Sequence, residues 1–354
     1  MAWTTGTATD MADLLVQIRD DVEAGNWSRD RYATAVNDAD NDEWIAHATN
    51  VTGNDAPYIG IRTYHDSSSG AYGLEIAGGT GYNGAGAWAT SIAGISPGRY
   101  DGASDLLRAG AYVPVLDQSM DFWLSVTDRR ILGIVQVDTG YFMFHAGLLD
   151  TFADSTAYPF PMYVAGSMNR FDSLPSDTTP DIGCTLADPI AFHSGATKWE
   201  GPGLLRFTDG SWYSVQNSAH RTSGRIEQND LVAFPAGSPR LLVADIGDPA
   251  DLWFIQSSNV REWSDVIPPS GNPGTEVARL HKTDGTTPGV PIFPVTIMMQ
   301  SPSKQFIGEI NGCYWCSGAD GVGAEDTLGS GTTYFVAQGG TQTNLWRRCA
   351  VLEA

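Results

Sequence analysis

The chain is poor in basic residues and has no long apolar run. It holds 20 Lys and Arg against 41 Asp and Glu in 354 residues, which gives a net charge of −21. Such a balance repels the phosphates of nucleic acids and the anionic headgroups of membranes, so neither is an expected partner. No uninterrupted apolar stretch approaches the roughly 18 residues that a spanning helix needs, so membrane insertion is not expected either.

Cysteine is also scarce. Four cysteines are too few for a disulfide scaffold in a chain of this length, so we expect buried free thiols at Cys184, Cys313, Cys316 and Cys349. The start of the chain, MAWTTGTATDMADLLVQIRDD, lacks the basic segment and the apolar core of a secretory signal. Synthesis in a cytoplasm is therefore expected.

The chain is rich in residues that favour turns. It contains 40 Gly and 19 Pro, and only 17% of its residues are charged, a composition typical of many short strands. We predict a mainly β fold: antiparallel β-sandwich or barrel-like domains built from meanders and hairpins, with one short N-terminal α-helix. The predicted division is an N-terminal arm and helix (1–50), a β-rich domain (51–200) and a second β-rich domain (201–354), the last two possibly forming one continuous β unit.

One helix is predicted near the N-terminus. Asp10 is placed to cap its first turn, and four apolar residues share one face, namely Leu14, Leu15, Ile18 and Val22. Gly25 is predicted to give the left-handed exit. The apolar face must dock on the protein or on a neighbour, while the polar leader that contains Trp3 could extend as an arm.

Strand patterns fill much of the remaining chain. Ile59 and Ile61 alternate with Arg62, as in a half-buried strand, and Leu74 and Ile76 repeat the pattern. Three strand-like runs between Phe122 and Ala146 are separated by short turns, which predicts an antiparallel meander.

Several hairpins are predicted in the second half of the chain. The pair Asp209-Gly210 predicts a two-residue hairpin turn with Phe207 opposite Trp212, and Asn311-Gly312 predicts another hairpin within 306–316. TTYFVAQ and LWRRCAVL are predicted to be the final two strands. Proline-rich loops at 172–183 and 267–274 mark surface excursions.

Two glycine-rich motifs match catalytic sequence patterns but lack the structural context that those patterns require. Ser96 lies in a G-x-S-x-G match, but Pro97 follows it and has no N–H for an oxyanion hole, which disfavours a serine hydrolase. The G-x-G-x-x-G match at 79–84 lacks the following helix and parallel strand of a dinucleotide site. A glycine-rich loop between strands is the predicted structure there.

No metal ligand is predicted. Asp38, Asp40 and Asp42 imitate the start of an EF-hand loop, yet its glycine and its final glutamate are missing, which leaves only an irregular acidic calcium site as an alternative. The C-x-x-C at 313–316 lacks a second ligand pair and a helix N-terminus, although a bond from either of its cysteines to Cys349 is conceivable. The histidines are scattered: His47, His65, His145, His193, His220 and His281.

The aromatic residues allow a different class of function. Eleven Trp and thirteen Tyr could line a sugar-binding groove, with acidic residues for acid and base roles. Large β cores and interfaces use the same aromatic residues. The run Asp209-Gly210-Ser211-Trp212 matches only part of the aspartate box of sialidase-type propellers, and it occurs once.

Segments in one order along most of the chain resemble a virion structural protein family of tailed bacteriophages. The segments are MAWTTGTATDMADLLVQIRD, DEWI, TGNDAPYIGIRTY, YGLEIAGGTGYNG, FWLSVTDRRILGIVQVDTGYFMFHAGLL, AYPFPMYVAGS, DGSW, FIGEINGCYWCSGAD and EDTLGSGTTYFVAQ. The segment 172–201 and the excess of acidic residues depart from the pattern, which leaves the local partners open.

The resemblance implies a non-enzymatic structural component of the phage tail, its baseplate or its fibres, present in multiple copies on the virion. It implies no catalytic residue and no cofactor. The implied partners are other tail or baseplate proteins and copies of the same chain, with 3–22 and the long loops in the contacts. A carbohydrate-binding receptor module at the tail tip, with exposed Tyr141, Tyr158 or Trp212, is an alternative. A polysaccharide-degrading enzyme with a carboxylate pair in a cleft is another.

Overall fold

The computed structural model describes residues 3–34, 42–51, 56–66, 71–84, 86–96, 111–137, 140–152, 160–166, 203–207, 210–217, 240–244, 292–301, 305–316, 327–328, 334–336 and 350–353. Two helices lie within these ranges, α1 (Met11–Glu23) and α2 (Trp88–Ser91). The strands are β1 (Thr4–Ala8), β2 (Trp27–Ala33), β3 (Glu43–Ala48), β4 (Tyr58–Asp66), β5 (Ala71–Gly79), β6 (Gly81–Tyr82), β7 (Ile92–Ala93), β8 (Ala111–Val115), β9 (Met120–Val126), β10 (Arg130–Val137), β11 (Gly140–Leu148), β12 (Asp150–Thr151), β13 (Met162–Ala165), β14 (Gly203–Arg206), β15 (Trp212–Asn217), β16 (Arg240–Ala244), β17 (Ile292–Ser301), β18 (Gln305–Cys316), β19 (Thr327–Leu328), β20 (Tyr334–Val336) and β21 (Ala350–Glu353).

Two sheets dominate the fold. The larger has 14 strands in the order β1-β9-β10-β11-β13-β14-β15-β16-β17-β18-β21-β20-β19, with β12 paired to β18. The smaller has five strands in the order β2-β3-β4-β5-β8, and β6 pairs with β7. All described pairs are antiparallel except β15 with β16, which is parallel. The predicted mainly β fold with a short N-terminal helix is confirmed, and the described strands form no closed barrel.

The two sheets share one apolar core with α1. Side chains from both sheets and from the helix pack together in it, among them Leu14, Trp44, Ile61, Leu74, Phe122, Ile131, Phe144 and Val164. Each large side chain removed from water contributes about 1.5–3 kcal/mol, so this layer is the main source of stability in the described part of the chain.

The predicted helix is confirmed, and its apolar face docks on the protein itself. The Asp10 carboxylate accepts a hydrogen bond from the Asp13 N–H at 2.8 Å, which caps the first turn. Leu14, Leu15 and Ile18 are all buried. The predicted left-handed exit at Gly25 is wrong: Ala24 stays right-handed, and the Gly25 N–H bonds to the Val22 carbonyl in a tight final turn.

The N-terminal leader forms a strand rather than an extended arm. β1 pairs with β9, with Thr4 opposite Leu124 and Ala8 opposite Met120. The five-stranded sheet uses residues on both sides of position 50, and the division into domains stays a prediction.

The predicted meander is confirmed as β9, β10 and β11, whereas the half-buried character of β4 is wrong. Ile59 and Ile61 are fully buried on one face, and Arg62 on the other face is only 6% exposed. The second face is covered by the chain that follows β5. The alternation of apolar and charged residues in β4 therefore does not indicate an exposed face. Both faces of the strand are buried, because the chain after β5 packs on the outer face of the sheet.

One predicted hairpin is confirmed with a different register. β14 and β15 pair around Gly210, which has φ +83°, but Arg206 rather than Phe207 lies opposite Trp212. The Phe207 N–H donates to the Ser211 carbonyl, and the Gly210 N–H donates to the Phe207 carbonyl. The loop is thus one residue longer than a two-residue turn.

The hairpin predicted at Asn311-Gly312 is wrong. β18 runs through both residues, and Gly312, with φ +75°, lies in a bulge opposite β17. The register there jumps from Pro294 opposite Tyr314 to Thr296 opposite Glu309. The final two strands, β20 and β21, pair antiparallel as predicted.

Candidate functional site

A row of alternating charges crosses the outer face of the five-stranded sheet. Glu43 lies directly opposite Arg62, and Arg62 lies opposite Glu75 on the next strand. The Arg62 Nε and Nη2 atoms both lie 2.6 Å from Glu75 Oε2. Arg31 of the edge strand β2 completes the row, with its Nη2 atom 2.7 Å from Glu43 Oε2. We call these four residues the ionic row.

The ionic row is buried. The side chains of Glu43 and Glu75 are 0% and 1% exposed, and those of Arg62 and Arg31 are 7% and 12% exposed. Burial raises the pKa of Glu43, while the nearby guanidinium groups of Arg31 and Arg62 oppose the rise. Each carboxylate is thus matched by an arginine, an arrangement that links four neighbouring strands.

A short segment, which we call the flap (residues 80–84 and 86–93), lies over this face. It contains β6, α2 and β7, and its Trp88 and Ile92 pack with Ile45 and Ala77 of the sheet. The Trp88 ring lies over the Arg62 guanidinium, 5.2 Å from its Cζ atom. Gly60 makes this close approach possible, because a Cβ atom there would lie 2.6 Å from Trp88 Cη2.

Polar contacts hold the flap and the residues that follow it. Arg31 Nη1 donates to the Gly86 carbonyl at 2.6 Å. Ser96, the serine of the G-x-S-x-G match, is fully buried, and its Oγ atom accepts from the Gly78 N–H at 3.1 Å. The Trp212 indole donates to the Gly94 carbonyl at 2.9 Å. Ser96 therefore binds the backbone of β5 through its side chain.

A second polar cluster lies where β9 and β10 approach β18, another strand of the same 14-stranded sheet. Arg130 donates from Nε to Asn311 Oδ1 at 2.8 Å and from Nη1 to the Ser125 carbonyl at 2.9 Å. His145 is buried on the same face of the sheet, and its Nδ1 atom lies 3.3 Å from the Tyr163 carbonyl oxygen. The cluster joins the meander to the bulge in β18.

Burial keeps the titratable members of this second cluster neutral. Burial, with a smaller effect of Arg130, lowers the pKa of His145 to about 3. Burial raises the pKa of Cys313 to about 12, against an opposing effect of Arg130, and it also raises the pKa of Tyr163. A thiol with so high a pKa is a poor nucleophile at neutral pH, so the geometry favours a structural role.

Both N-terminal edge strands are protected. Gln17 of α1 donates from Nε2 to the Thr7 carbonyl of β1 at 3.2 Å, and Asp13 accepts from the Thr9 N–H at 2.8 Å. β2 carries a register shift between Arg29 and Arg31. A helix alongside an edge, a bulge and edge charges are known devices against unwanted strand pairing.

Of the three aromatic residues considered for sugar binding, Tyr141 is only 6% exposed, so its predicted exposure is wrong. Its ring packs against Trp123 instead, with centroids 5.8 Å apart. Trp212 is half-buried against the core and bonded to Gly94. Tyr158 lies outside the described residues.

The structure also locates several of the other predicted motifs. Gly79–Gly84 spans the end of β5 and all of β6, so part of the predicted glycine-rich loop is itself a short strand. Cys313 is a buried free thiol as predicted. His47 pairs with Asp30 at 2.8 Å, and His65 stacks on Tyr72. The following lie outside the described residues or have undescribed side chains: Asp38, Asp40, Cys184, Cys316, Cys349, His193, His220, His281 and the loops 172–183 and 267–274.

Sequence reasoning missed the ionic row. A usable signal existed, because the short connection between β4 and β5 sets a register in which Arg62 faces Glu75. Recognising that both charges are buried needed the flap, which sequence analysis treated only as a loop.

In the described part of the chain, His, Cys, Asp and Glu form no group of three or more that could hold a metal ion. No helix in those residues has the length and apolarity to cross a membrane. Comparison with protein-family models and with curated proteins finds no match to this chain.

Proposed function

We propose that the chain is a structural subunit of a tailed-bacteriophage virion, associated with the tail or baseplate, that assembles in multiple copies and supports fibres or host attachment. Its proposed partners are copies of itself and other tail proteins, and its proposed location is the virion. The proposal starts from the ordered segments that resemble a phage virion family. It does not require catalysis, a cofactor, nucleic acid or membrane insertion.

The observation that carries the proposal is that buried charged side chains pair with one another across neighbouring strands. Arg31, Glu43, Arg62 and Glu75 link four strands of one sheet, and Arg130 links β9, β10 and β18 within the other sheet. Breaking a buried match of charges is costly, so these pairs oppose rearrangement of the strands that they join. A rigid layered β scaffold suits a subunit that must keep its shape within an assembly.

The subunit contacts proposed for 3–22 need revision in light of the fold. The apolar face of α1 is occupied by the core, and Gln17 already binds the outward carbonyl of Thr7. Thr4, Thr5 and Thr7 of β1 remain exposed and carry no charge. In a chain with a net charge of −21, a strand whose own exposed side chains carry no charge adds nothing to the repulsion between copies, although the Asp121 carboxylate lies 2.6 Å from Thr7 Oγ1. We therefore place a subunit contact on β1.

The first test is mass spectrometry and cryo-electron microscopy of purified virions of the phage that encodes this chain. We expect the chain at several symmetry-related positions. Its absence from purified particles would contradict the proposal. Removing residues 1–25 would be a poor test, because it deletes β1 and the buried face of α1 and so disturbs the core.

A point variant tests the β1 contact without disturbing the core. Thr5→Glu adds a negative charge to the exposed strand, and Asn50→Glu adds the same charge on an exposed bend after β3. We expect Thr5→Glu alone to reduce assembly in light-scattering measurements. Equal assembly of both variants would show that β1 makes no contact.

Neither alternative function gains support from the described residues. For the sugar-binding module, Tyr141 is buried and Trp212 is half-buried, which leaves Tyr158 as the untested candidate. For the enzyme, Glu43 and Glu75 are buried and paired with arginines instead of lining a cleft. Specific binding on a glycan array, or turnover of bacterial polysaccharide, would revive the corresponding alternative.

A further inference from the structure

We propose that the flap opens as one unit from the five-stranded sheet while the two main sheets stay folded, and that opening exposes Arg62 of the ionic row to water. This inference rests on the contacts of residues 80–84 and 86–93 and does not depend on the proposed function. Three features carry it: the bonding within the flap, the side chains that attach it to the sheet and the buried charge beneath it.

The flap is bonded mostly to itself. The Thr80 N–H donates to the Ala93 carbonyl at 2.8 Å, and the Asn83 N–H donates to the Ser91 carbonyl at 2.8 Å. The Ser91 N–H donates to the Ala87 carbonyl at 3.1 Å. These bonds join residues that move together, so they survive when the segment swings away as a body.

Among the described residues, a small set of side chains attaches the flap to the sheet. Trp88 and Ile92 are buried over Gly60, Tyr82 packs beside them, and the Trp88 ring also lies over the Arg62 guanidinium. Arg31 adds hydrogen bonds to the Gly86 carbonyl at 2.6 Å and to Ser91 Oγ at 3.2 Å. Regions with few buried apolar contacts open locally at lower free energy than a core does.

The surface beneath the flap favours opening for a second reason. Trp88 of the closed flap lies over the Arg62 guanidinium, which is paired with Glu75, and burial of charges carries a desolvation penalty. Opening returns water to Arg62 and so recovers part of that penalty. Exposing an apolar face of the same size to water would bring no such gain in free energy.

The flap is flanked by fixed points that define its hinges. Gly94, with φ +59°, follows the flap directly, and its carbonyl is held by the Trp212 indole. Ser96 is clamped to Gly78 by two hydrogen bonds, from its own N–H at 2.8 Å and to its Oγ at 3.1 Å. At the other end Thr80 follows β5. A glycine between a clamp and a mobile segment can absorb the change in backbone angle.

Native-state thiol labelling of the full chain tests the opening. Ile45→Cys places a thiol beneath the flap, and Ala46→Cys places one on the opposite face of the same strand, in the main core; both parent residues are 0% exposed. We expect iodoacetamide, read out by peptide mass spectrometry, to label position 45 at least about tenfold faster than position 46. The rate at position 45 should change little in low urea.

A glycine pair provides matched perturbations. In Gly60→Ala the new Cβ would lie 2.6 Å from Trp88, whereas in Gly78→Ala it would lie 2.3 Å from Met162 on the core face. Gly60→Ala should accelerate labelling beneath the flap about tenfold or more and leave position 46 unchanged. Gly78→Ala should not accelerate position 45 selectively.

Equal labelling rates at positions 45 and 46, with equal urea dependence, would overturn the proposal, because the flap would then open only with global unfolding. If Ile45→Cys does not fold, Ala77→Cys replaces it beneath the same flap. Ala77 belongs to the same packed cluster and is also 0% exposed, so the same comparison decides.

Discussion

The pairing of Arg62 with Glu75 makes a quantitative prediction. Replacing Arg62 by Met keeps most of the side-chain volume but leaves the Glu75 carboxylate, which is 1% exposed, without the guanidinium that now lies 2.6 Å away. We expect this single change to lower the free energy of unfolding by about 3–5 kcal/mol. Loss of the stacking between Arg62 and Trp88 contributes about 0.5–2 kcal/mol within that total.

The double variant separates the cost of an unmatched charge from the value of the pair. With Arg62→Met and Glu75→Leu together, no buried charge at these two positions is left unmatched. We expect the double variant to lie within about 1 kcal/mol of the parent, or to exceed its stability, because a buried pair gains little over an apolar replacement. The second substitution should therefore restore most of what the first one loses.

Urea unfolding followed by circular dichroism at one pH measures these differences, provided that the slope with urea is unchanged. Arg29→Met is the matched control, because Arg29 pairs with Glu23 at 3.2 Å but its side chain is 47% exposed. The control should cost less than about 1 kcal/mol. A loss below about 1 kcal/mol for Arg62→Met, or a double variant as unstable as the single one, would refute the reasoning.

Three further outcomes are expected. Asp10→Ala removes the cap of α1 and should cost about 1 kcal/mol in urea unfolding, whereas Asp20→Ala, on the exposed side of the same helix, should be near neutral; equal losses would contradict the cap. Gly312→Ala should destabilise more than Gly84→Ala: both glycines have positive φ, but a Cβ at 312 meets Arg130 and one at 84 meets nothing within 4 Å, so equal melting shifts would exclude the steric effect. Because the pKa of His145 falls from 6.5 to about 3 on folding, stability should decline by about 1.4 kcal/mol per pH unit as pH falls through that window, and His145→Leu should flatten this part of the pH profile.

The features predictable from sequence were local. Asp10 and the apolar stripe of α1 identified a helix, and the spacing of turns between Phe122 and Ala146 identified three strands. Each of these patterns depends on residues within a few positions of one another. The helix cap and the meander could thus be predicted without knowing what packs against them.

The errors occurred where a distant segment decides the local structure. Asn311-Gly312 has the composition of a hairpin turn, yet Arg130, far away in sequence, packs on it, and β18 continues through it as a bulge. Arg62 looked exposed because the flap that buries it has no strong pattern of its own. The cluster around Arg130 was unpredictable for the same reason, since it exists only after strands distant in sequence meet.

The pairing of β1 with β9 has a consequence for synthesis. Thr4 leaves the ribosome about 120 residues before its partner Leu124, a delay of roughly 6–24 s at the usual 5–20 residues per second. During that interval β1 lacks the strand with which it pairs, and α1 lacks the part of its packing surface that β9 supplies. When many copies are translated side by side, these two elements are the ones most in need of shielding, and slower elongation before residue 124 should lengthen their exposure.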